Sequence, residues 1–362
     1  MEEKILNTLL EKIKYDLFHY HEKSGKEKIK YRIKRLLKPK DTPRIDPFFW
    51  PQALLTQTLE EAEQLEVLLL YYDKWYKAGV TIYHIDNIMN GYSLVYVYLK
   101  TGNIKYKKMM DKLCDYLCSY YKEYGNIMPY RGNHPTHIYA DELGMIVPFL
   151  CRYGESFGVQ EAVELGQKLL IDFLEKGMDE TTGLPYHGYD VNTGVKYGIV
   201  GWGRAVGWLL LGMADSVEFM RDSREKEIIV IAFQQLVKNS FQYFKESGYF
   251  PWQLPAREGP VDTSATAMIA YAIVKGKRTA YLRCDCEMDE LMGKTLPAGR
   301  LSMEEVLKRM EKALIQSYQE GQIMDCSGEC EGFSQYPQVY GGYPWSNGPT
   351  LRFFLERKND YH

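Results

Sequence analysis

The chain has 362 residues and a formal net charge of −3, from 45 Lys and Arg against 48 Asp and Glu. That balance excludes nucleic acid as the main partner, since domains that bind it carry a clear basic excess. No apolar run approaches the length of a bilayer span, so a membrane is not expected either.

Tyrosine is abundant, at 30 residues. Its flat apolar face and polar edge suit sugars, although it is also an ordinary half-buried residue. The opening Met1-Glu-Glu-Lys-Ile-Leu has no basic region, apolar core or small-residue cleavage site, so the expected location is the cytoplasm. The seven cysteines are odd in number and scattered. Cys114, Cys118 and Cys151 fall in apolar helix patterns, as buried thiols of a reducing compartment do. Cys284-Asp-Cys286 and Cys326-Ser-Gly-Glu-Cys330 lack zinc spacing and paired histidines, so no metal is expected.

In chain order, residues 2–22 read as an amphipathic helix, with Ile5, Leu9, Ile13 and Leu17 near helical spacing. A basic stretch follows, 23–40, most simply a solvated face and alternatively a rim that attracts a polyanion. Phe48-Phe-Trp-Pro51 opens one helix reaching about Lys77, with Pro51 in its first turn. Thr81 to Gly91 is a polar segment before an apolar helix, Tyr92 to Leu99. Thr101-Gly-Asn103 is a tight turn into a helix over 104–123. The loop 124–138 leads to the helix of Asp141, and 159–176 form the next. A long loop, 179–198, precedes Gly201-Trp-Gly-Arg-Ala-Val-Gly-Trp208 and a helix over Leu209 to Met220, with a partner over 224–246. Asp262-Thr-Ser-Ala-Thr-Ala-Met268 begins a helix rich in small residues. Residues 277–300 read as an insertion, 302–319 as a helix, and Thr350 to Arg357 as the last one. No strand series is expected.

Loops beginning near Asp86, Asp141, Trp202, Asp262 and Trp345 recur at roughly 55 to 85 residues, the spacing of a helical-hairpin array. Long loops lead into one helix of each pair and short turns close the other end. The expected fold is therefore all-α, an (α/α)6 barrel forming a single domain over 1–362, with the long loops on one face. An open solenoid is the competing arrangement. Closure is preferred because the long loops are uneven and aromatic, as active-site loops are.

The loops present Asp86, Asp141, His187, Trp202, Arg204, Trp208, Trp252 and Trp345. Two carboxylates on one cleft suit general acid and base work on a sugar. Arg204 offers a fork for a carboxylate, and the tryptophans offer stacking faces. Each has an ordinary alternative. Asp141 and Asp86 could cap the helices that follow them. Trp208 and Trp345 could anchor the core, His187 could be a satisfied loop histidine, and Arg204 could pair with a structural Asp.

In this order and at these intervals several motifs add up: Ile85-Asp-Asn-Ile-Met-Asn-Gly91 with Leu99-Lys-Thr-Gly102, Tyr139-Ala-Asp-Glu-Leu-Gly-Met145, Pro185-Tyr-His-Gly-Tyr-Asp190, Trp202-Gly-Arg204 with Trp208, Asp262-Thr-Ser-Ala-Thr-Ala267, and Pro344-Trp-Ser-Asn-Gly348. From about Trp50 onward the chain resembles the unsaturated glucuronyl and galacturonyl hydrolases of glycoside hydrolase family 105 and the related family 88.

The resemblance implies a barrel without metal or cofactor, monomeric or homodimeric, acting on a small oligosaccharide. The non-reducing end of that substrate is a 4,5-unsaturated uronic acid left by a lyase. The Asp matching Asp141 would protonate C4 of the enol ether and water would add at C5. The hemiketal would then open and expel the partner sugar, by default rhamnose. Asp86 matches the second family Asp. His187, Trp202, Arg204 and Trp208 match substrate-binding positions, and Tyr130, His137, Trp50, Trp252, Thr263 and Trp345 are expected around the same substrate. Arg204 is expected to hold the uronate carboxylate.

The chain departs from the family at Ala205-Val206, where Gly-Asn is common, at Tyr130, where a His is common, and at Asp262, where Glu is common. Rival readings are a sugar 2-epimerase, an inverting glycosidase on the same toroid, and a silent sugar-binding protein. Epimerases work with histidine bases, whereas carboxylates stand at these helix starts.

Overall fold

A computed structural model of the chain describes residues 2–20, 46–279 and 302–359, with isolated positions at 30, 33–34 and 37. Most of the basic stretch 23–40, the 277–300 insertion from residue 280 onward, and Cys284 and Cys286 lie outside the described residues.

Twelve α-helices stand among the described residues: α1 Glu2–His19, α2 Trp50–Glu61, α3 Leu65–Lys77, α4 Gly91–Thr101, α5 Ile104–Glu123, α6 Ala140–Phe157, α7 Gln160–Lys176, α8 Gly203–Ala214, α9 Arg224–Phe241, α10 Thr263–Arg278, α11 Met303–Gln316 and α12 Pro344–Asn359. The even-numbered helices pack neighbour to neighbour, α2–α4–α6–α8–α10–α12, and α12 returns to α2. The odd-numbered helices lie outside, each against its inner partner. This is a closed ring of six helical hairpins, the (α/α)6 toroid; the open solenoid is excluded by the α12–α2 contact.

The sequence dictates the two layers. Every residue of α8 is buried, as is α10 from Thr263 to Gly276. Helices apolar or small all round belong inside. Outer helices carry a single apolar stripe, as in α5 with Tyr106, Met109, Met110, Leu113, Cys114 and Leu117. Gly144 shows how tightly the inner ring closes. A Cβ there would stand 2.6 Å from the Trp208 carbonyl oxygen, so α6 and α8 approach at a distance only glycine permits.

Several boundaries differ from expectation. The helix expected over 48–77 is two helices, broken at Ala62–Gln64, where Glu63 adopts φ 55°. The apolar pattern runs on through the break, which hid the turn that sends the chain from the inner to the outer layer. The last helix starts at Pro344 rather than Thr350: Pro344 stands in its first turn, where no N–H is needed, and Pro349 is carried inside the helix. Helix α8 starts at Gly203 and stops at Ala214, with a short 3-10 turn at Val217–Phe219 after it. Its partner α9 ends at Phe241 rather than near 246.

Short strands are present where none was expected: β1 His137–Tyr139, β2 Gly188–Asp190, β3 Lys196–Tyr197, β4 Tyr318–Gln319, β5 Gln322–Ile323, β6 Cys326–Ser327 and β7 Tyr340–Gly341. They form three antiparallel sheets, β1-β2-β3, β4-β5 and β6-β7. With two or three residues each, they leave no period-two pattern to read. They stitch the long loops together where the inner helices begin.

Candidate active site

Asp141 is the second residue of α6. The N-cap is Tyr139, and it makes no side-chain cap bond. The cap reading of Asp141 therefore does not hold. Strand pairing brings it a partner: β1 lies antiparallel on β2, with Tyr139 opposite Gly188, and the Ala140 N–H donates to the His187 carbonyl at 2.9 Å. Gly188 is required here, because a Cβ would stand 2.2 Å from the Ile138 carbonyl oxygen. The result is His187 Nε2 at 2.9 Å from Asp141 Oδ2. The contact is off the hydrogen-bond line, so Oδ2 is buried without a hydrogen-bond partner. The other ring nitrogen, Nδ1, is 2.7 Å from the Tyr336 hydroxyl.

Asp86 sits in a 3-10 turn, Ile85–Asn90. It does not cap α4, whose N-cap is Asn90. The two asparagines of its motif are structural. Asn87 Nδ2 donates to Asp46 Oδ2 at 2.6 Å and to the Phe48 carbonyl at 2.8 Å, and Asn90 Nδ2 donates to the same carbonyl at 2.7 Å. They pin the turn to the segment entering α2 and leave the Asp86 carboxylate facing inward. Its Oδ2 lies 3.3 Å from His84 Nδ1, and its Oδ1 is buried without a hydrogen-bond partner. Tyr130 lies between the two carboxylates, its ring against His84 at 4.8 Å and Tyr139 at 5.1 Å. Burial, then the charges of Asp86 and Asp141, push its phenol well above the usual range.

Arg204 is placed differently from expectation. It is 2% exposed. Its Nη1 donates to the Ser327 carbonyl at 2.9 Å and to Ser327 Oγ at 3.1 Å, and Nη2 donates to the Gly328 carbonyl at 2.9 Å. The fork expected to hold a uronate carboxylate holds the base of the β6–β7 hairpin instead. Its stacking over Trp202, at 4.6 Å, completes the enclosure.

The tryptophans also differ. Trp202, Trp208 and Trp345 are each 1% exposed and present no face to a sugar in this arrangement. Trp345 donates Nε1–H to the Ser327 carbonyl at 2.9 Å and packs on Trp50 at 4.9 Å, and Trp50 packs on Trp208 at 5.8 Å. These rings tie the starts of α2, α8 and α12 together beneath the site, because the apolar interior there needs large rigid fillers. Trp202 lies under the His187 ring at 4.7 Å. Thr263 is fully buried, its hydroxyl donating to the Met324 carbonyl at 2.8 Å; it holds a loop. Half-buried Trp252 lies near Tyr336 at 5.8 Å. His137 is half-buried, 3.5 Å from Asp190 Oδ2 and stacked on His134 at 5.1 Å. Burial and then the neighbouring His134 lower its pKa.

Sequence reasoning missed the hairpin that covers the site. Phe333, near its tip, stacks between Tyr139 at 3.9 Å and Tyr197 at 5.3 Å. Cys330 and Glu329 lie on the same hairpin. Burial, then the Asp141 charge, push the Cys330 thiol up to about 12, and burial raises Glu329. Glu331-Gly-Phe-Ser-Gln-Tyr336 has the Gly and aromatic character of the other site loops, a signal hidden by attention to the cysteine spacing. Glu142 was missed too. It is fully buried, and neither carboxylate oxygen makes a well-formed hydrogen bond. Burial pushes its pKa well up, outweighing the nearby Tyr139 N–H that favours the charged form, and the Asp141 charge adds to the rise.

The starts of the inner helices thus converge on two buried carboxylates, each beside a histidine. Helix N-termini carry partial positive charge, so this end of the barrel suits an anionic ligand. Among the described residues, no group of three or more His, Cys, Asp or Glu side chains could hold a metal ion. No helix there is long and apolar enough to cross a membrane.

The closed ring of six hairpins defines the chain as a six-hairpin helical toroid. Residues 52–294 match the description "Glycosyl Hydrolase Family 88", and the chain belongs to that family; it is a glycoside hydrolase. Among curated relatives, an unsaturated rhamnogalacturonyl hydrolase, YesR, of Bacillus subtilis (strain 168) is 21% identical over 323 residues, covering 85% of this chain and 87% of the relative. Among solved structures, a possible family 105 member from Salmonella enterica superposes with TM-score 0.80 at 18% identity, covering 99% of this chain and 94% of the other. An unsaturated glucuronyl hydrolase from Streptococcus agalactiae superposes with TM-score 0.65 at 17% identity, covering 96% of each. At these identities the structures speak for the fold.

Proposed function

We propose that the chain releases a 4,5-unsaturated uronic acid from the non-reducing end of lyase-generated oligosaccharides. The observation that carries this reading is Asp141 in the first turn of α6, against His187 and facing a site shared with Asp86. Family membership supports the class of reaction. The rhamnogalacturonyl hydrolase relative supports unsaturated galacturonyl-rhamnose as the first substrate to try.

Asp141, as a carboxylic acid, gives its proton to C4 of the enol ether. Water bonds to C5, and the proton it loses returns to the Asp141 carboxylate. The C5 hemiketal opens by cleavage of the bond from C5 to the ring oxygen, leaving a ketone at C5 and a hydroxyl on C1. C1 then collapses to an aldehyde and expels the partner sugar. One water is consumed and the acid is regenerated. Asp86 supplies a second carboxylate to the site and accepts hydrogen bonds from sugar hydroxyls. Tyr130, His137 and Trp252 contact the sugar, whereas His187, expected to do so, is 1% exposed and meets Asp141 instead. Trp50, Trp202, Trp208, Thr263 and Trp345 hold that wall from behind. Arg204 adds its charge from behind the wall, with the helix N-termini, to attract the uronate.

The test is ultraviolet absorbance over time on unsaturated disaccharides from rhamnogalacturonan, chondroitin, heparin and ulvan. Loss of the enol-ether band with one of them is expected. A band that persists with all four at high enzyme concentration sinks the reading and leaves the fold standing.

A further inference from the structure

His187 is 1% exposed and walled by rings: Tyr139 at 5.1 Å, Trp202 at 4.7 Å and Phe333 at 5.4 Å. Among the described residues, the hydrogen-bond partner of its Nδ1 is the Tyr336 hydroxyl, 149 residues further along the chain. Its Nε2 faces Asp141 at 2.9 Å, close but not aligned. The orientation of the ring about its own axis decides whether that contact becomes a hydrogen bond, and the group that fixes the orientation is Tyr336.

The hairpin that carries Tyr336 is firmly held at its base and lightly held at its tip. At the base, Arg204 and Trp345 bind the Ser327 carbonyl, Ser327 Oγ donates to Asp262 Oδ2 at 2.6 Å, and the Gly328 N–H donates to the Val339 carbonyl at 2.8 Å. At the tip, Phe333 and Tyr336 reach inward, while Glu331, Ser334, Gln335, Pro337 and Gln338 are exposed. Both carboxylates are 9% exposed or less, and the tip reaches the histidine that faces Asp141.

We infer that Tyr336 is a positioning residue: carried in on the tip of the β6–β7 hairpin, its hydroxyl sets the His187 ring against Asp141 when the hairpin is down. The inference rests on the reading of Asp141 as the acid. A hydroxyl suits the task because it can donate to a ring nitrogen. The Tyr336 hydroxyl donates to Nδ1, which keeps the ring proton on Nε2, and Nε2–H turns toward Asp141 Oδ2. The acid proton sits on the other oxygen, Oδ1, so no histidine proton moves when it leaves for C4, and closure of the hairpin and readiness of the acid become one event.

The experiment compares wild type with Tyr336→Phe. The variant is expected to lose about tenfold in kcat with KM within twofold, the order of effect of one hydrogen bond. The His187 ring-nitrogen resonances, read by nitrogen-15 spectroscopy, are expected to move. Installing 2,3-difluorotyrosine at 336 keeps the shape and acidifies the hydroxyl, so it tests the same bond without a risk to folding. The resonances are expected to move there too. Unchanged His187 resonances in both variants would overturn the inference whatever the activity does. Persistence of the enol-ether band in the wild type would overturn the reaction instead, and the resonances would still decide whether Tyr336 positions the histidine.

Discussion

Where the inner helices begin, Asp86 Oδ1, Asp141 Oδ2 and Trp202 Nε1 are buried without hydrogen-bond partners. Toward their other ends, buried charge is handled in the opposite way. Arg352 is fully buried, and its guanidinium donates to Glu61 Oε1 at 2.7 Å, Asp215 Oδ2 at 3.0 Å and Gln57 Oε1 at 3.0 Å. The Tyr271 hydroxyl lies within hydrogen-bond reach of both carboxylates, at 2.8 and 2.7 Å, and donates its one proton to either. Arg152 pairs with Glu60 at 2.7 Å, and Lys275 with Glu218 at 2.7 Å. Each of these carboxylates is answered through one oxygen or both by a cation from another helix, which ties the ring of helices together, although Glu60 Oε2 and Glu61 Oε2 are themselves buried without a partner. A buried group left without a partner costs stability, so the two ends differ in kind: one sets carboxylates against arginine and lysine, the other holds Asp86 and Asp141 against histidines alone.

Substitutions separate the two. Asp141→Asn is expected to lower turnover about 10²- to 10⁴-fold, the range for a general acid, while the melting temperature stays within a few degrees of wild type. Absorbance kinetics and calorimetry check the two halves. Unchanged turnover in this variant would show that the acid lies elsewhere. Arg352→Met should do the reverse. It strands the buried charges of Glu61 and Asp215, which costs about 3–5 kcal/mol. Activity per folded molecule is expected to remain within twofold. Denaturant unfolding reads the first number, and kinetics normalised to the folded fraction reads the second.

The sequence made the site end partly legible for physical reasons. Asp86, Asp141 and His187 stand in polar, Gly-rich loops leading into apolar helices, where position alone marks them. The tryptophans mark the same end, but whether a ring faces sugar or core depends on packing that spacing does not encode. Arg204 looked like a carboxylate fork because its partners, the carbonyls of Ser327 and Gly328, lie more than a hundred residues away. The Arg352 cluster was illegible for the same reason: its bonds to Asp215 and Glu61 span 137 and 291 residues. Long-range pairing of charges is fixed by which helices become neighbours, and only the closed ring supplies that.

Glu142 stands next to Asp141 in sequence yet is a cost to the barrel rather than a tool of the site. Its pKa is raised in the folded state, first by burial and then by the Asp141 charge. A raised carboxyl contributes stability that is fully present below the unfolded pKa, about 4.3, and is lost as pH rises toward the folded value. Wild type should therefore lose about 1.4 kcal/mol per pH unit across that window from this group. Glu142→Gln removes the dependence. Unfolding free energies measured from pH 4 to pH 8 are expected to diverge, with the variant gaining on wild type as pH rises. Parallel curves would mean that Glu142 finds a partner when ionised.

The smallest expected effect lies at the hairpin tip, where the comparison of the two ends is sharpest. The Arg352 cluster is locked by charge, whereas the hairpin is kept down by the Phe333 ring between Tyr139 and Tyr197 together with the Tyr336 hydroxyl. Each aromatic contact is worth about 0.5–1.5 kcal/mol beyond the area it buries. Phe333→Ala is therefore expected to speed amide exchange over residues 328–340 by about twofold to tenfold, since such exchange follows local opening. Exchange in α8 and α10, the most buried inner helices, should not change. An unchanged rate in the hairpin would mean that its base, held by Arg204 and Trp345, governs opening. Faster exchange throughout would mean that the hairpin belongs to the core and cannot lift to admit a sugar.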